Sequence, residues 1–329
     1  MTRPRVGFLG TGWIGRHRME AMIATSAIVA AAVCEPDEEC AREALALSPE
    51  AKRVASFDDL LAEQLDGIVI ATPSALHAEQ TIAALNSGAA VFCQKPLGRN
   101  AAETLAAIDA ARVADRLLAV DLSYRRTAAV EAIAEVMRNG TLGRVFAVDL
   151  TFHNAYGPGK PWFFDRTQSG GGCVIDLGVH LVDLALWLLE FPQVEEVGAR
   201  LFAQGQRLAA AASEVEDYAT ARLDLAGGAS VNLACSWNLN AGTEAVIGAT
   251  FYGTQASAGF RNIGGSFYKF EAYLNRGTAQ EIIASPPDDW GGRVAADWAR
   301  RLAEDPSFDP QVTSVATVAQ VLDCIYSAA

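Results

Sequence analysis

Positive charge is scarce in this sequence. Its 26 Lys and Arg face 39 Asp and Glu, a net charge of −13. That balance argues against a nucleic-acid or anionic-membrane partner. It leaves a small-molecule site open, because such a site responds to local charge. Paired cysteines are absent as well. Cys34, Cys40, Cys93, Cys173, Cys235 and Cys324 are scattered with no C-x-x-C spacing, which argues against a zinc ribbon and a secreted disulfide framework. Those inside apolar runs, such as Cys93 and Cys235, read as buried small hydrophobes. No uninterrupted apolar run reaches membrane length, and "MTRPRVGFLG" enters a strand pattern at once, without an apolar signal segment. Repeats and low-complexity tracts are also missing. The resulting expectation is a soluble protein of a reducing, cytoplasmic compartment.

What is present is apolar and periodic. Half of the 329 residues (51%) are hydrophobic, enough to core two ordinary domains. The first third alternates short β-rich runs with amphipathic helical ones: "RVGFLG", "AIVAAAVCE", "DGIVIAT", "AAVFCQKP" and "RLLAVDLSY" are strands separated by helix patterns. That alternation, with continuously apolar strands, predicts a parallel sheet covered on both faces. After about Tyr124 the rhythm changes to strands with turns. "LAGGAS", with Gly227 and Gly228, reads as a hairpin turn. An antiparallel sheet with helices on one face fits this half. The predicted domains are residues 1–121 and 122–329.

"GFLGTGWIGRH" places Gly10, Gly12 and Gly15 in G-x-G-x-x-G spacing between the first strand and a helix opening at Trp13 and Ile14. Gly10 permits the tight turn, Gly12 the approach of a pyrophosphate, and Gly15 close helix–strand packing. The helix N-terminus, with Trp13 and Ile14, then offers N–H groups to the phosphates. Glu35 ends the second strand twenty residues beyond Gly15, where an acid accepts hydrogen bonds from the adenosine ribose and repels a 2′-phosphate. The spacing favours NAD over NADP.

"GGGCVIDLGVHLVDLALWLL" poses a question: Asp176, His180 and Asp183 interrupt an apolar run at helical spacing, on one face if the run is helical. A buried structural network, a metal site and an acid/base site for a substrate hydroxyl all fit these residue types. The metal reading lacks further ligands at suitable spacing nearby.

The stretch "DGIVIATPSALHAEQTIAALNSGAAVFCQKPLGRNAAE", with "SYRR" and "WFFDRTQSGGGCVIDLGVHLVD" in the same order, resembles the glucose–fructose oxidoreductase/inositol dehydrogenase (Gfo/Idh/MocA) family. That family carries T-P-x-x-x-H after the fourth Rossmann strand and E-K-P after the fifth. Here these are Thr72-Pro73 with His77, and Gln94-Lys95-Pro96. The resemblance implies an N-terminal doubly wound Rossmann sheet and a C-terminal α+β domain with an open, mostly antiparallel sheet. It also implies a final helix (311–328) packed back on the Rossmann half, and homodimers or homotetramers formed through the C-terminal sheet.

For chemistry, the resemblance implies an NAD-dependent oxidoreductase acting on a secondary alcohol or hemiacetal carbon of a sugar, inositol or related polyol. Lys95, Asp176 and His180 are its catalytic candidates. A histidine near its ordinary pKa of ~6.5 accepts an alcohol proton around neutrality, and Lys95 stabilises the developing alkoxide. Thr72, Pro73, His77, Gln94 and Lys95 join the glycine turn and Glu35 as cofactor-binding candidates, with a capping or packing role as the other reading of His77. Tyr124, Arg125, His153 and Trp162 join as substrate-binding candidates. The aromatic loop with Tyr156 either packs on a sugar ring or fills the domain interface. Asp183 is either a supporting partner or a substrate contact, and no metal is expected. Gln94 in place of the family's Glu implies a Lys95 that loses its proton more readily. A dinucleotide-binding regulator without turnover, and a reductase of a non-sugar substrate, are the competing functions.

Overall fold

The computed structural model describes residues 3–209 and 213–329. The chain divides into two compact units, Met1–Ser123 with Gly291–Ala316, and Tyr124–Trp290 with Thr317–Ala329.

The first unit holds a six-stranded, wholly parallel sheet: β1 (Arg5–Leu9), β2 (Val29–Cys34), β3 (Lys52–Val54), β4 (Gly67–Ile70), β5 (Ala90–Cys93) and β6 (Leu118–Val120). Its order is β3-β2-β1-β4-β5-β6, so the order reverses between β1 and β4. Crevices at such a switch point, outside the carboxyl ends of the strands, are where doubly wound sheets bind ligands. Helices α1 (Trp13–Ala24), α2 (Glu38–Leu47), α3 (Phe57–Leu61), α4 (Ser74–Asn86) and α5 (Ala101–Ala114) make the crossovers. Asp37, Ser56 and Asn100 cap α2, α3 and α5 by accepting from N–H groups of the first turn.

Both sheet faces are buried, which explains why the strands are apolar without alternation. On β4, Ile68 and Ile70 join one core cluster and Val69 the other. The helix Arg293–Glu304 covers the second cluster with Ala295, Trp298 and Leu302. A Cβ at Gly67 would lie 2.8 Å from both Trp298 and Leu302, so the strand is bare where that helix crosses. This helix, late in the sequence, closes the Rossmann unit. The final helix, Ser314–Ser327, is divided between the two units. Its first turn belongs to the Rossmann unit, through Ala316, while Val318, Val321, Leu322, Ile325 and Tyr326 join the core of the second unit. The apolar stripe of the final helix matches the second unit's core, and a sequence stripe carries no label for its partner.

The second unit opens with α6 (Ala128–Arg138) and β7 (Val145–Asn154), then α7 (Arg166–Ser169), a single π-helical turn (Val174–Gly178) and α8 (Val179–Leu188). Strands β8 (Val194–Ala203), β9 (Gln206–Arg207), β10 (Tyr218–Leu225), β11 (Ser230–Ser236), β12 (Ala245–Gly253), β13 (Ser257–Asn262), β14 (Phe270–Arg276) and β15 (Ala279–Ala284) follow. With β7 they form a nine-stranded sheet, β15-β14-β13-β12-β7-β11-β10-β8-β9, antiparallel except where β11 runs parallel to β7. Gly227 and Gly228, both with φ near +85° (+90° and +82°), turn β10 into β11 as expected. Helices pack on one face only, and the strands alternate accordingly: Val148, Leu150 and Phe152 of β7 are buried and Asp149 is exposed.

Arg166–Leu188 is long and apolar enough by composition to cross a membrane, but its apolar window is almost wholly buried in the protein, as a core helix is.

Candidate active site

Three glycines build the turn after β1, each for a different reason. Gly10 has φ +81°, and a Cβ there would stand 2.7 Å from the Ala71 carbonyl oxygen. Gly15 carries no side chain because a Cβ would overlap the Gly10 carbonyl oxygen, so α1 lies directly on the turn. Gly12 has neither excuse. Its φ is −56° and nothing lies within 4 Å of where a Cβ would be. Open space at the N-terminus of α1, bare by glycine alone, fits a pyrophosphate that must approach the main chain. Trp13 is 60% exposed there, its ring stacked on His17 at 5.9 Å, and Ile14 is half-buried beside it.

Glu35 is held at the end of β2 by main-chain donors. Its Oε2 accepts from the Thr11 N–H at 2.6 Å and its Oε1 from Asp37 N–H at 3.0 Å. The carboxylate thus braces the glycine turn, with lone pairs left for further donors.

The loops after β4 and β5 are tied by His77. Its Nδ1 lies 2.6 Å from the Pro96 carbonyl and its Nε2 2.7 Å from the Thr72 carbonyl. Burial pushes the pKa of this imidazole down; the two carbonyls oppose that, and the Lys95 charge adds to it. The ring favours the packing reading of His77: both nitrogens lie within hydrogen-bond distance of main-chain carbonyls, and the neutral ring donates to one of them. Thr72 turns its hydroxyl to the Gln80 side chain at 2.6 Å, and Pro73 precedes α4 as its N-terminal cap residue. Lys95 is half-buried in the loop after β5, joined to Pro96 by a cis peptide bond.

Gln94 has a partner that sequence reading missed. Its Nε2 donates to Asp121 Oδ2 at 2.6 Å, and Arg18 Nε donates to the same oxygen at 2.6 Å. All three side chains are buried. A carboxylate therefore does stand near the Gln94-Lys95-Pro96 loop, supplied from the residue after β6 rather than from position 94. The one available sign was an acid closing an otherwise apolar strand in "RLLAVDL".

In the second unit the glycine run before the π turn is explained by close neighbours. Gly170 ends α7 with φ +86°. A Cβ at Gly171 would overlap the Tyr326 hydroxyl, and one at Gly172 the Glu216 carbonyl oxygen. Glu216, 1% exposed, accepts through one oxygen from Gly172 N–H (2.9 Å), Val174 N–H (3.0 Å) and the Tyr326 hydroxyl (2.7 Å). Burial pushes its carboxyl pKa up, against those hydrogen bonds. In the acidic stretch "SEVEDY" this acid looks like surface charge, so nothing local marked it.

Asp176 sits within the π turn, a helical irregularity frequent at functional sites. Its Oδ2 accepts from the indole N–H of buried Trp237 at 3.1 Å. Phe163 and Phe164 meet the Trp237 ring edge-on, and Trp162 stacks on Phe163 at 3.8 Å. His180, on the first turn of α8, is 6% exposed and packs on Tyr124 with ring centroids 4.7 Å apart. Tyr124 is itself boxed by Phe152, Phe270 and Trp290, and burial pushes its hydroxyl pKa far up. Trp237 and Trp290 are site residues that the sequence did not flag.

Four candidates turn to other partners. Arg125 grips Asp183 with two hydrogen bonds, Nε to Oδ2 at 2.8 Å and Nη2 to Oδ1, and lies over the Trp187 and Phe191 rings. Burial raises the Asp183 pKa and Arg125 pulls it back. This pairing makes Asp183 a supporting residue and commits Arg125 to it. His153 is not brought to His180. Phe152 occupies the helix-covered face, so the next residue turns to the other side, where His153 bonds Ser236 Oγ at 2.7 Å and stacks on Tyr218. Tyr156 is exposed, against Phe267. Among the described residues no three His, Cys, Asp or Glu side chains gather as a metal site.

A switch-point crevice with a glycine turn open at Gly12, in a chain whose second unit carries an acid and an imidazole on one helical segment, defines a dinucleotide-binding protein of the Rossmann class. The comparisons with known proteins carry this further. Residues 4–122 match the family model described as the oxidoreductase family, NAD-binding Rossmann fold, and residues 130–259 match the GFO/IDH/MocA C-terminal domain. The chain belongs to the Gfo/Idh/MocA oxidoreductase family.

Among relatives, it is 29% identical over 230 residues to D-glucoside 3-dehydrogenase of Escherichia coli (strain K12), covering 66% of each chain. It is 32% identical over 253 residues to a putative UDP-kanosamine synthase oxidoreductase subunit of Amycolatopsis mediterranei (strain S699), covering 71% of this chain and 68% of the relative. The aligned part therefore spans about two thirds of these relatives' lengths. Levoglucosan dehydrogenase in complex with NADH and L-sorbose has the same fold, with a TM-score of 0.82 over 100% of this chain and 97% of that one, at 23% identity.

Proposed function

We propose that the chain is an NAD-dependent oxidoreductase that moves a hydride between the nicotinamide cofactor and a secondary alcohol or hemiacetal carbon of a sugar, inositol or related polyol. The observation that carries this reading is Gly12, a glycine whose backbone and neighbours do not need one, open at the switch point of the parallel sheet. Its relatives' names, D-glucoside 3-dehydrogenase and levoglucosan dehydrogenase, support a polyol substrate. NAD is favoured over NADP because the Glu35 carboxylate, braced against the glycine turn, opposes a 2′-phosphate.

When bound, the nicotinamide accepts or returns the hydride. The chain's own residues handle the oxygen and its proton. His180 is the base for a hydroxyl proton at an imidazole nitrogen, and Lys95 is the donor to an oxygen on which negative charge develops. Asp176, oriented by the Trp237 indole, holds a neighbouring hydroxyl. The stack of Trp162, Phe163 and Trp237 offers apolar faces to a sugar ring. We further place the protein in the cytoplasm as a homo-oligomer joined through the open face of the nine-stranded sheet. That face mixes polar pairs, Asn232 with Asp149 and Thr250 with Tyr273 across strands, with the exposed side chains of Val246 and Tyr252.

The test is NADH formation from NAD across a panel of sugars and cyclitols, with Lys95→Ala and His180→Ala as controls. Turnover by the wild type, reduced about a hundredfold or more in each variant, is expected. Tight NADH binding with no turnover on any member replaces the enzyme reading with that of a dinucleotide-binding regulator.

A further inference from the structure

Lys95 follows a residue whose side chain is clamped from below. Gln94 Nε2 and Arg18 Nε both donate to one oxygen of Asp121, at 2.6 Å each. Asp121 is 1% exposed, Arg18 5% and Gln94 8%, and the other carboxylate oxygen, Oδ1, has no hydrogen-bond partner. The main chain is fixed at the same points: Gln94 N–H donates to the Ile70 carbonyl and Asp121 N–H to the Cys93 carbonyl. Arg18 lies on α1, one turn beyond Gly15, so the three side chains join the helix of the glycine turn to the loops after β5 and β6. An ionised carboxylate only accepts, so the group at position 94 must present a donor. A glutamine does; a glutamate does not without a proton.

Resting on the reading of Lys95 as the residue that binds the reacting oxygen, we infer that Gln94 and Asp121 are a matched pair in which Asp121, backed by Arg18, is the positioning residue for the Lys95 loop. The glutamine is set by the aspartate beneath it. A glutamate at position 94 places two carboxylates at hydrogen-bond distance in a buried site that has one guanidinium. Both cannot ionise, so the pair retains a proton. A group holding its proton in the folded state beyond its unfolded pKa gives stability that is full in acid and lost as pH rises. The other charged and titratable groups around the pair are Arg18, His17, which touches Arg18 at 2.9 Å, Cys93, whose thiol burial pushes up to about 12, and Lys95 itself. None of the thiol's change falls near neutrality.

The experiment is a swap. Wild type, Gln94→Glu, Asp121→Asn and the double variant are compared from about pH 5 to about pH 9 by urea unfolding, by NADH binding, and by kcat and KM on the best polyol of the panel. Gln94→Glu is expected to unfold like wild type in acid and to lose at least about tenfold in its folding equilibrium on going to alkaline pH. Asp121→Asn is expected to lose kcat by about tenfold or more with KM little changed, because the lysine is misplaced rather than removed. The double variant returns a single carboxylate facing an amide, and recovers both quantities to within about threefold of wild type. The inference is overturned if Gln94→Glu tracks wild type at every pH, if the double variant is no better than the worse single one, or if stability couples while kcat is unmoved. Coupling in stability and NADH binding, with no turnover by wild type on any polyol, supports the pair and sinks the polyol reading instead.

Discussion

Removing Glu216 tests whether a buried acid holds the segment that carries Asp176. One carboxylate oxygen accepts from two main-chain N–H groups, of Gly172 and Val174, and from the Tyr326 hydroxyl. Glu216→Ala strands all three donors inside the protein. Each unpaired buried donor costs about 1–3 kcal/mol, so the loss for three is roughly 3–9 kcal/mol, a large share of a typical domain's stability. Glu216→Gln keeps an oxygen for the same three donors and removes the charge, so it is expected within about 1 kcal/mol of wild type near neutrality.

The two variants also differ in pH dependence. The Glu216 pKa is raised by burial above its usual 4.5. Its folded form therefore binds more protons than its unfolded form over that interval, and wild-type stability falls as pH rises from about 4.5 to the folded pKa. Glu216→Gln lacks that slope. Urea unfolding followed by tryptophan fluorescence is suited to the measurement, since four of the six tryptophans (Trp162, Trp187, Trp237 and Trp290) lie in the second unit. A Glu216→Ala midpoint corresponding to less than about 1 kcal/mol of loss, or a glutamine variant as damaged as the alanine one, refutes the reasoning.

Two further predictions concern glycine and charge. Gly12→Ala adds a methyl where the protein leaves open space, so its melting temperature should stay near wild type while NADH affinity drops about tenfold or more; Gly10→Ala, at φ +81° and against the Ala71 carbonyl, should lose about 1–3 kcal/mol of stability instead. Equal effects of the two on stability in calorimetry contradict the distinction. Asp183→Ala leaves the Arg125 guanidinium without its carboxylate and should cost about 3–5 kcal/mol. Arg125→Met leaves Asp183 buried without its cation, so its raised pKa climbs further and the variant should be less stable at about pH 8 than at about pH 5. A flat pH profile for Arg125→Met in denaturant titrations would show that the pair is unimportant.

The sequence by itself determined the features whose cause is local. The glycine spacing at 10, 12 and 15, the continuous apolarity of β4 and β5, the alternation along β7 and the Gly227-Gly228 hairpin each follow from backbone geometry within a few residues. The same locality let Asp176 and His180 be named from their spacing. It also misled, because helical spacing in "CVIDLGVHLVD" does not reveal a π turn, and alternation at the end of β7 turned His153 away from His180.

Only the tertiary structure decided partners. Asp121 meets Arg18 across 103 residues and Gln94 across 27, Tyr326 reaches Glu216 across 110, Asp183 takes Arg125 across 58, and the Trp237 indole reaches Asp176 across 61. In sequence each of these acids is one of 39. A buried carboxylate must find donors wherever the fold brings them, and that choice is made by chain closure over long separations, which no periodicity within a segment encodes.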